Sequence, residues 1–128
     1  MKTVIIMGSL TDESHAKKIT DKLDEYKILW EKHVASAHKQ PLEVLKILDE
    51  NSEKKNITYI TIAGRSNALS GFVAANSKHP TIGCPPFSDK SDMLVNIHST
   101  LQMPSKTPVL TVIDPGNCAL AVKRIFRV

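Results

Sequence analysis

Four short stretches carry the side chains from which a reaction could be built: Gly8-Ser9-Leu10-Thr11-Asp12, Ser36-Ala37-His38-Lys39-Gln40-Pro41, Gly64-Arg65-Ser66-Asn67 and Cys84-Pro85-Pro86. The first ends an apolar run and opens a segment of helical period. Backbone N–H groups and the positive helix end at such a junction hold phosphate, and the Ser9 and Thr11 hydroxyls would assist. Asp12 would repel phosphate, so its functional role would be a sugar hydroxyl; its structural alternative is to cap the helix. The stretch is neither a P-loop nor a GxGxxG fingerprint.

His38 has the residue type for moving one proton near neutral pH, since an unperturbed imidazole titrates near ~6.5. Beside it, Lys39 offers a point charge for a phosphate or carboxylate, and Ser36 a hydroxyl. The other histidines (His15, His33, His79 and His98) fall in predicted helices, in a strand middle or at a loop edge, and are assigned no role. No pair has metal-ligand spacing with a supporting carboxylate, so no metal site is expected. In the third stretch Gly64 permits close backbone approach, and Ser66 and Asn67 can donate hydrogen bonds. Ser66 lacks the GxSxG context and a placed acidic partner, which argues against a hydrolase nucleophile. Cys84-Pro85-Pro86 is a rigid wall.

The elements that must position these groups follow from periodicity. Apolar runs at residues 3–7, 28–35, 57–63, 81–84 and 109–113 alternate with helical patterns. Ala16, Ile19, Leu23 and Tyr26 share one helix face, as do Leu42, Leu45 and Leu48, and then Leu94, Ile97 and Leu101. Pro41 suits the first position of the second helix. A short helix is expected at residues 68–77 and a last one at 116–127. Runs such as 57–63 lack polar alternation, which indicates strands buried on both faces. The expectation is one domain over residues 1–128: a doubly wound α/β three-layer sandwich with about five parallel strands in the flavodoxin-like order 2-1-3-4-5. All strand-to-helix loops of a parallel sheet emerge at the carboxyl edge, so the four chemical stretches converge there. The helix-to-strand connections are lysine-rich and generic.

Composition narrows the function. The 128 residues carry 17 basic and 13 acidic side chains, for a net charge of +4, with the lysines scattered. Aromatics at 5% are too few for a nucleic-acid stacking platform, so the mild positive charge suits a small phosphorylated substrate. Cys84 and Cys118 form no CxxC pair and follow apolar runs, as reduced buried thiols do. No leader opens the sequence and no stretch approaches the ~20 apolar residues of a membrane span, so a cytoplasmic protein without membrane association is expected.

The succession MGSLTD, SAHKQP, AGRSNALSG and LQMP, at these spacings, resembles the aminoimidazole ribonucleotide (AIR) carboxylase family, often called PurE, over essentially the whole chain. The resemblance implies a doubly wound domain, assembly as a homo-octamer, and no cofactor. One class of the family rearranges the N5-carboxylated ribonucleotide; the other, class II, joins carbon dioxide to AIR in purine biosynthesis. The mutase class typically carries AGGAAHLPG where this chain has AGRSNALSG, so its histidine falls on Ala68. AGRSN, SAHK and CPP resemble class II. By that resemblance His38 is the catalytic histidine, Ser9, Asp12, Ser36 and Lys39 bind the substrate, and Gly64, Arg65 and Ser66 surround the carbon dioxide pocket. Family members continue past the position of Val128 into a tail that helps join subunits. The mutase reaction, and a noncatalytic nucleotide-binding module, are the alternative readings.

Overall fold

The computed structural model describes residues 1–128. Its strands are β1 (Lys2–Met7), β2 (Leu29–Val34), β3 (Ile57–Ile62), β4 (Thr81–Gly83) and β5 (Leu110–Thr111). Its helices are α1 (Glu13–Glu25), α2 (Pro41–Asn51), α3 (Leu69–Ala75), α4 (Lys90–Asn96), α5 (His98–Leu101) and α6 (Pro115–Phe126). The five strands form one parallel sheet in the order β2-β1-β3-β4-β5, the order expected from the sequence.

The sheet is covered on both faces because its inner strands are apolar on both. In β1, Ile5 and Met7 face one layer, where Ala16, Ile19 and Leu23 of α1 meet Cys118, Ala119 and Val122 of α6. Val4 and Ile6 point the other way, onto Val44, Ile47 and Leu48 of α2 and Leu69 and Val73 of α3. Side chains alternate across a strand, so a continuous apolar run is what a doubly covered strand requires. Central β3 is buried at every position. Each fully buried Val, Ile or Leu contributes about 1.5–3 kcal/mol. Strand β2 lies at the edge and shows this in its sequence: Glu31 pairs with Lys2 and with His33, charges that blunt an exposed edge. No helix is long and apolar enough to cross a membrane.

Two apolar stripes expected to pack inward do not. In α2 the buried set is Val44, Ile47, Leu48 and Asn51, an i, i+3, i+4, i+7 series, while Leu42 is 79% exposed and Leu45 39%. Two stripes overlap in this helix, and the sheet takes the one centred on Ile47. The 94/97/101 stripe does not sit on a single helix. The chain breaks at Ile97 between α4 and α5, leaving Leu94 and Leu101 at the surface while Thr100 is buried. The break turns Thr100 toward Asn67, whose side-chain amide donates to its hydroxyl at 2.9 Å.

Candidate active site

The loops after β1, β2 and β3 meet at the carboxyl edge in a cleft of about 160 Å³. This is where the strand order reverses, the place at which open α/β sheets bind ligands. Its walls are Gly8, Ser9 and Asp12 from the first loop, Ser36, Ala37 and His38 from the second, and Ala63, Gly64, Arg65, Ser66, Ala68 and Leu69 from the third. Ser9, Asp12, Ser36, His38, Gly64, Arg65 and Ser66 line it, whereas Thr11, Lys39, Asn67 and the expected wall Cys84-Pro85-Pro86 do not.

The first loop is built differently from expectation. A 3-10 turn, Leu10–Asp12, precedes α1, and Ser9 rather than Asp12 is its cap: Thr11 N–H donates to Ser9 Oγ at 3.2 Å. Ser9 and Thr11 hydroxyls also bond each other at 2.9 Å. Asp12 makes no capping bond, so its carboxylate is left for a ligand. The Asp12 N–H is taken by Ser9 O at 3.1 Å. Two N–H groups at this junction are thus already satisfied, and the loop offers hydroxyls and a carboxylate more than an open N–H cradle. Burial raises the Asp12 pKa, and the nearby His15 opposes this by favouring the charged form.

In the second loop, Lys39 N–H donates to Ser36 Oγ at 3.2 Å and Ser36 N–H to Gln40 Oε1 at 3.3 Å. The turn fixes Ser36 while leaving its own proton to donate. Lys39 therefore contributes through its backbone, and its exposed side chain lies outside the cleft walls. His38 stands exposed on the same turn with no hydrogen bond to its ring. Pro41 opens α2 directly behind it.

The third loop holds Ser66 in the left-handed region at φ 53°, a conformation that disfavours a side chain. Gly64 is not demanded by crowding within the chain: a Cβ there would approach only Pro86 O, at 3.8 Å. Its missing side chain leaves space in the cleft. Arg65 is 82% exposed and leans toward Asp92 at 3.9 Å, a pair of little energetic weight. Asn67, expected to donate into the site, is buried and turned away from the cleft, into Ser70 and Thr100.

Sequence position alone gives His15 no role, yet its Nε2–H donates to Cys84 O at 3.0 Å and its Nε2 lies 3.5 Å from Cys84 Sγ. It ties the start of α1, one turn beyond Asp12, to the end of β4. Cys84 and Cys118 are free and buried, as expected. The pKa of the Cys84 thiol is lowered, chiefly by the neighbouring Cys118 thiol and further by His15, while that of the Cys118 thiol is pushed up. The i, i+3 spacing from Asp12 to His15 was the available sequence signal; the Cys84 partner, 69 residues away, was not readable.

Chemically, the cleft offers hydroxyl and carboxylate groups for a hydroxylated ligand, a free imidazole for one proton, and a small-residue floor. No group of three or more His, Cys, Asp or Glu side chains is arranged to hold a metal ion. A family model described as AIR carboxylase matches residues 2–128. A phosphoribosylaminoimidazole carboxylase of Archaeoglobus fulgidus is 48% identical over 98% of this chain and 69% of its own length. One from Treponema denticola is 45% identical over 96% of this chain and 77% of its own. A Drosophila melanogaster bifunctional phosphoribosylaminoimidazole carboxylase/succinocarboxamide synthetase is 41% identical over 96% of this chain, which spans 29% of it. The crystal structure of Treponema denticola PurE superposes with a TM-score of 0.93 at 44% identity, covering 98% of this chain and 80% of that one.

Proposed function

This chain belongs to the AIR carboxylase family, and on that premise we propose that it joins carbon dioxide to C4 of AIR, giving the 4-carboxy product CAIR. The observation that carries the choice between the family's two reactions is the floor of the cleft. Ala68 lines it where the mutase class has a histidine, so His38 is the one imidazole among its walls. A single proton carrier suits a reaction that removes one proton.

The chemistry asks little else. The aminoimidazole ring is an enamine, so C4 is already nucleophilic and carbon dioxide is the electrophile. The C4–carbon bond forms with the ring electron pair, and negative charge grows on the new carboxylate. The Ser66 hydroxyl and residues 64–65 stabilise that charge, donors fixed beforehand being worth most where charge develops. His38 then takes the C4 proton, and the C–H electron pair restores the aromatic ring. Ser9, Asp12 and Ser36 hold the ribose phosphate, Asp12 on a sugar hydroxyl, so that C4 is placed over the carbon dioxide pocket. Lys39 acts from the rim as a diffuse charge, and Lys39→Ala is expected to change AIR affinity less than substitution at Asp12. The proposal includes a cytoplasmic setting.

Microscopic reversibility supplies a direct test. Purified protein should decarboxylate CAIR to AIR without ATP, followed by loss of the carboxylated chromophore. CAIR that stays intact at high enzyme concentration would contradict the assignment.

The proposal extends to a homo-octamer. Leu42, Leu94, Val95 and Leu101 are large, apolar and more than half exposed, a surface that self-association would cover. Sedimentation at micromolar concentration should give eight times the 14.1 kDa chain mass; monomer alone would contradict it.

A further inference from the structure

We propose that Asn67 is a positioning residue whose buried carboxamide, anchored on α5, holds the residue 64–66 loop in the shape that lets Ser66 retain carbon dioxide. This rests on the assignment of Ser66 to the carbon dioxide pocket. Asn67 sits in a polar cluster that a doubly covered sheet would not need for stability. Asn67 N–H donates to Ser99 Oγ at 2.8 Å, and Asn67 Oδ1 accepts from Ser70 N–H at 3.1 Å. Its two amide protons go to Ser70 Oγ at 2.8 Å and Thr100 Oγ1 at 2.9 Å. Each donor of this residue is used, which fixes which way the amide faces.

The bonds have one consistent direction. Ser70 Oγ accepts from Asn67, so its own proton goes to Thr61 Oγ1 at 2.7 Å, and Thr61 donates onward to Ile82 O at 3.5 Å. The relay thus runs from the loop through α3 and β3 to β4. Gly83 makes room for it, since a Cβ there would stand 3.0 Å from Ser70 Oγ. Asn67, Ser70, Thr61 and Thr100 are all buried, and a partly satisfied buried network is costly. Keeping one beside a cleft is best understood by what it holds.

What it holds is a strained neighbour. Ser66 at φ 53° is next in the chain to Asn67, and a left-handed serine persists only where its surroundings enforce it. On the other side, Gly64 offers no anchoring side chain and Arg65 is exposed. The loop is therefore gripped at its Asn67 end, by α5. This also accounts for the break at Ile97, which brings Ser99 and Thr100 to the loop at the cost of an exposed apolar stripe.

Asn67→Ala removes the whole cluster and would confound folding with function, so the test uses Thr100, which does not line the cleft. Thr100→Val keeps the shape and deletes the acceptor; Thr100→Ser keeps the hydroxyl. In Thr100→Val the dissolved carbon dioxide needed for half-maximal rate should rise about 3- to 10-fold, as loss of one buried hydrogen bond allows. The half-saturating AIR concentration should stay within about twofold, and Thr100→Ser should restore the carbon dioxide requirement. A lower melting temperature in Thr100→Val with an unchanged carbon dioxide requirement would overturn the positioning role, as would a Thr100→Ser enzyme no better than the Val variant. Wild-type protein with no carbon-dioxide-dependent turnover would instead remove the carboxylase assignment itself.

Discussion

His38→Asn should lower kcat about 100-fold or more while leaving the half-saturating AIR concentration within about threefold. Asparagine occupies much the same space and can hydrogen-bond, but it cannot accept a proton at neutral pH. His38 holds nothing else together: its ring makes no hydrogen bond and is exposed on the turn before α2. The loss should therefore fall on the proton-transfer step and spare binding and folding. Slowing that step should also make deuterium at C4 of AIR reduce the rate measurably. Steady-state kinetics with protiated and C4-deuterated AIR checks both. Turnover near the wild-type rate would remove His38 from the mechanism.

Asp12→Ala should act on the opposite parameter, raising the half-saturating AIR concentration about 10- to 100-fold, the range expected when a hydrogen bond to a charged group is lost. The prediction depends on the finding that Ser9, and not Asp12, caps the turn. An Asp12 engaged in capping would cost stability when removed; a free one costs affinity. Its pH dependence follows from the direction of its shift. Burial raises the Asp12 pKa, so its carboxylate is lost on acidification earlier than that of an ordinary aspartate. In wild-type enzyme kcat/KM should fall as pH drops through that raised value, and Asp12→Asn should lack this fall. The substrate phosphate titrates in both enzymes near ~6, so their ratio across pH isolates Asp12. A ratio that does not change with pH would show that the carboxylate plays no part in binding.

The sheet was legible because its determinants are local and repeated. Five apolar runs separated by helical patterns leave few right-handed parallel arrangements, and both-face burial of β1 and β3 is written in residues 3–7 and 57–62, which carry no charge and no polar alternation. The cleft was legible for a related reason, since topology sends every strand-to-helix loop to one edge. What escaped depended on which way a side chain turns. Lys39 and Asn67 have the right chemistry in the right loops, yet Lys39 serves Ser36 through its backbone and Asn67 faces α5. Helix phase was the other limit. Leu42-Leu45-Leu48 and Val44-Ile47-Leu48 are both plausible stripes, and only packing against the sheet decides between them. The Ile97 break and the His15–Cys84 bond rest on contacts more than 30 residues apart in sequence, beyond any periodicity.

The central claim is that this cleft takes AIR and carbon dioxide and not the N5-carboxylated compound. The measurement that addresses it most directly supplies AIR with 13C-labelled bicarbonate, without ATP, and follows the C4 carboxylate by 13C NMR. Labelled CAIR should form in proportion to enzyme and to dissolved carbon dioxide. No label above the enzyme-free control, together with rapid conversion of the N5-carboxylated compound by the same preparation, would contradict it and identify a mutase.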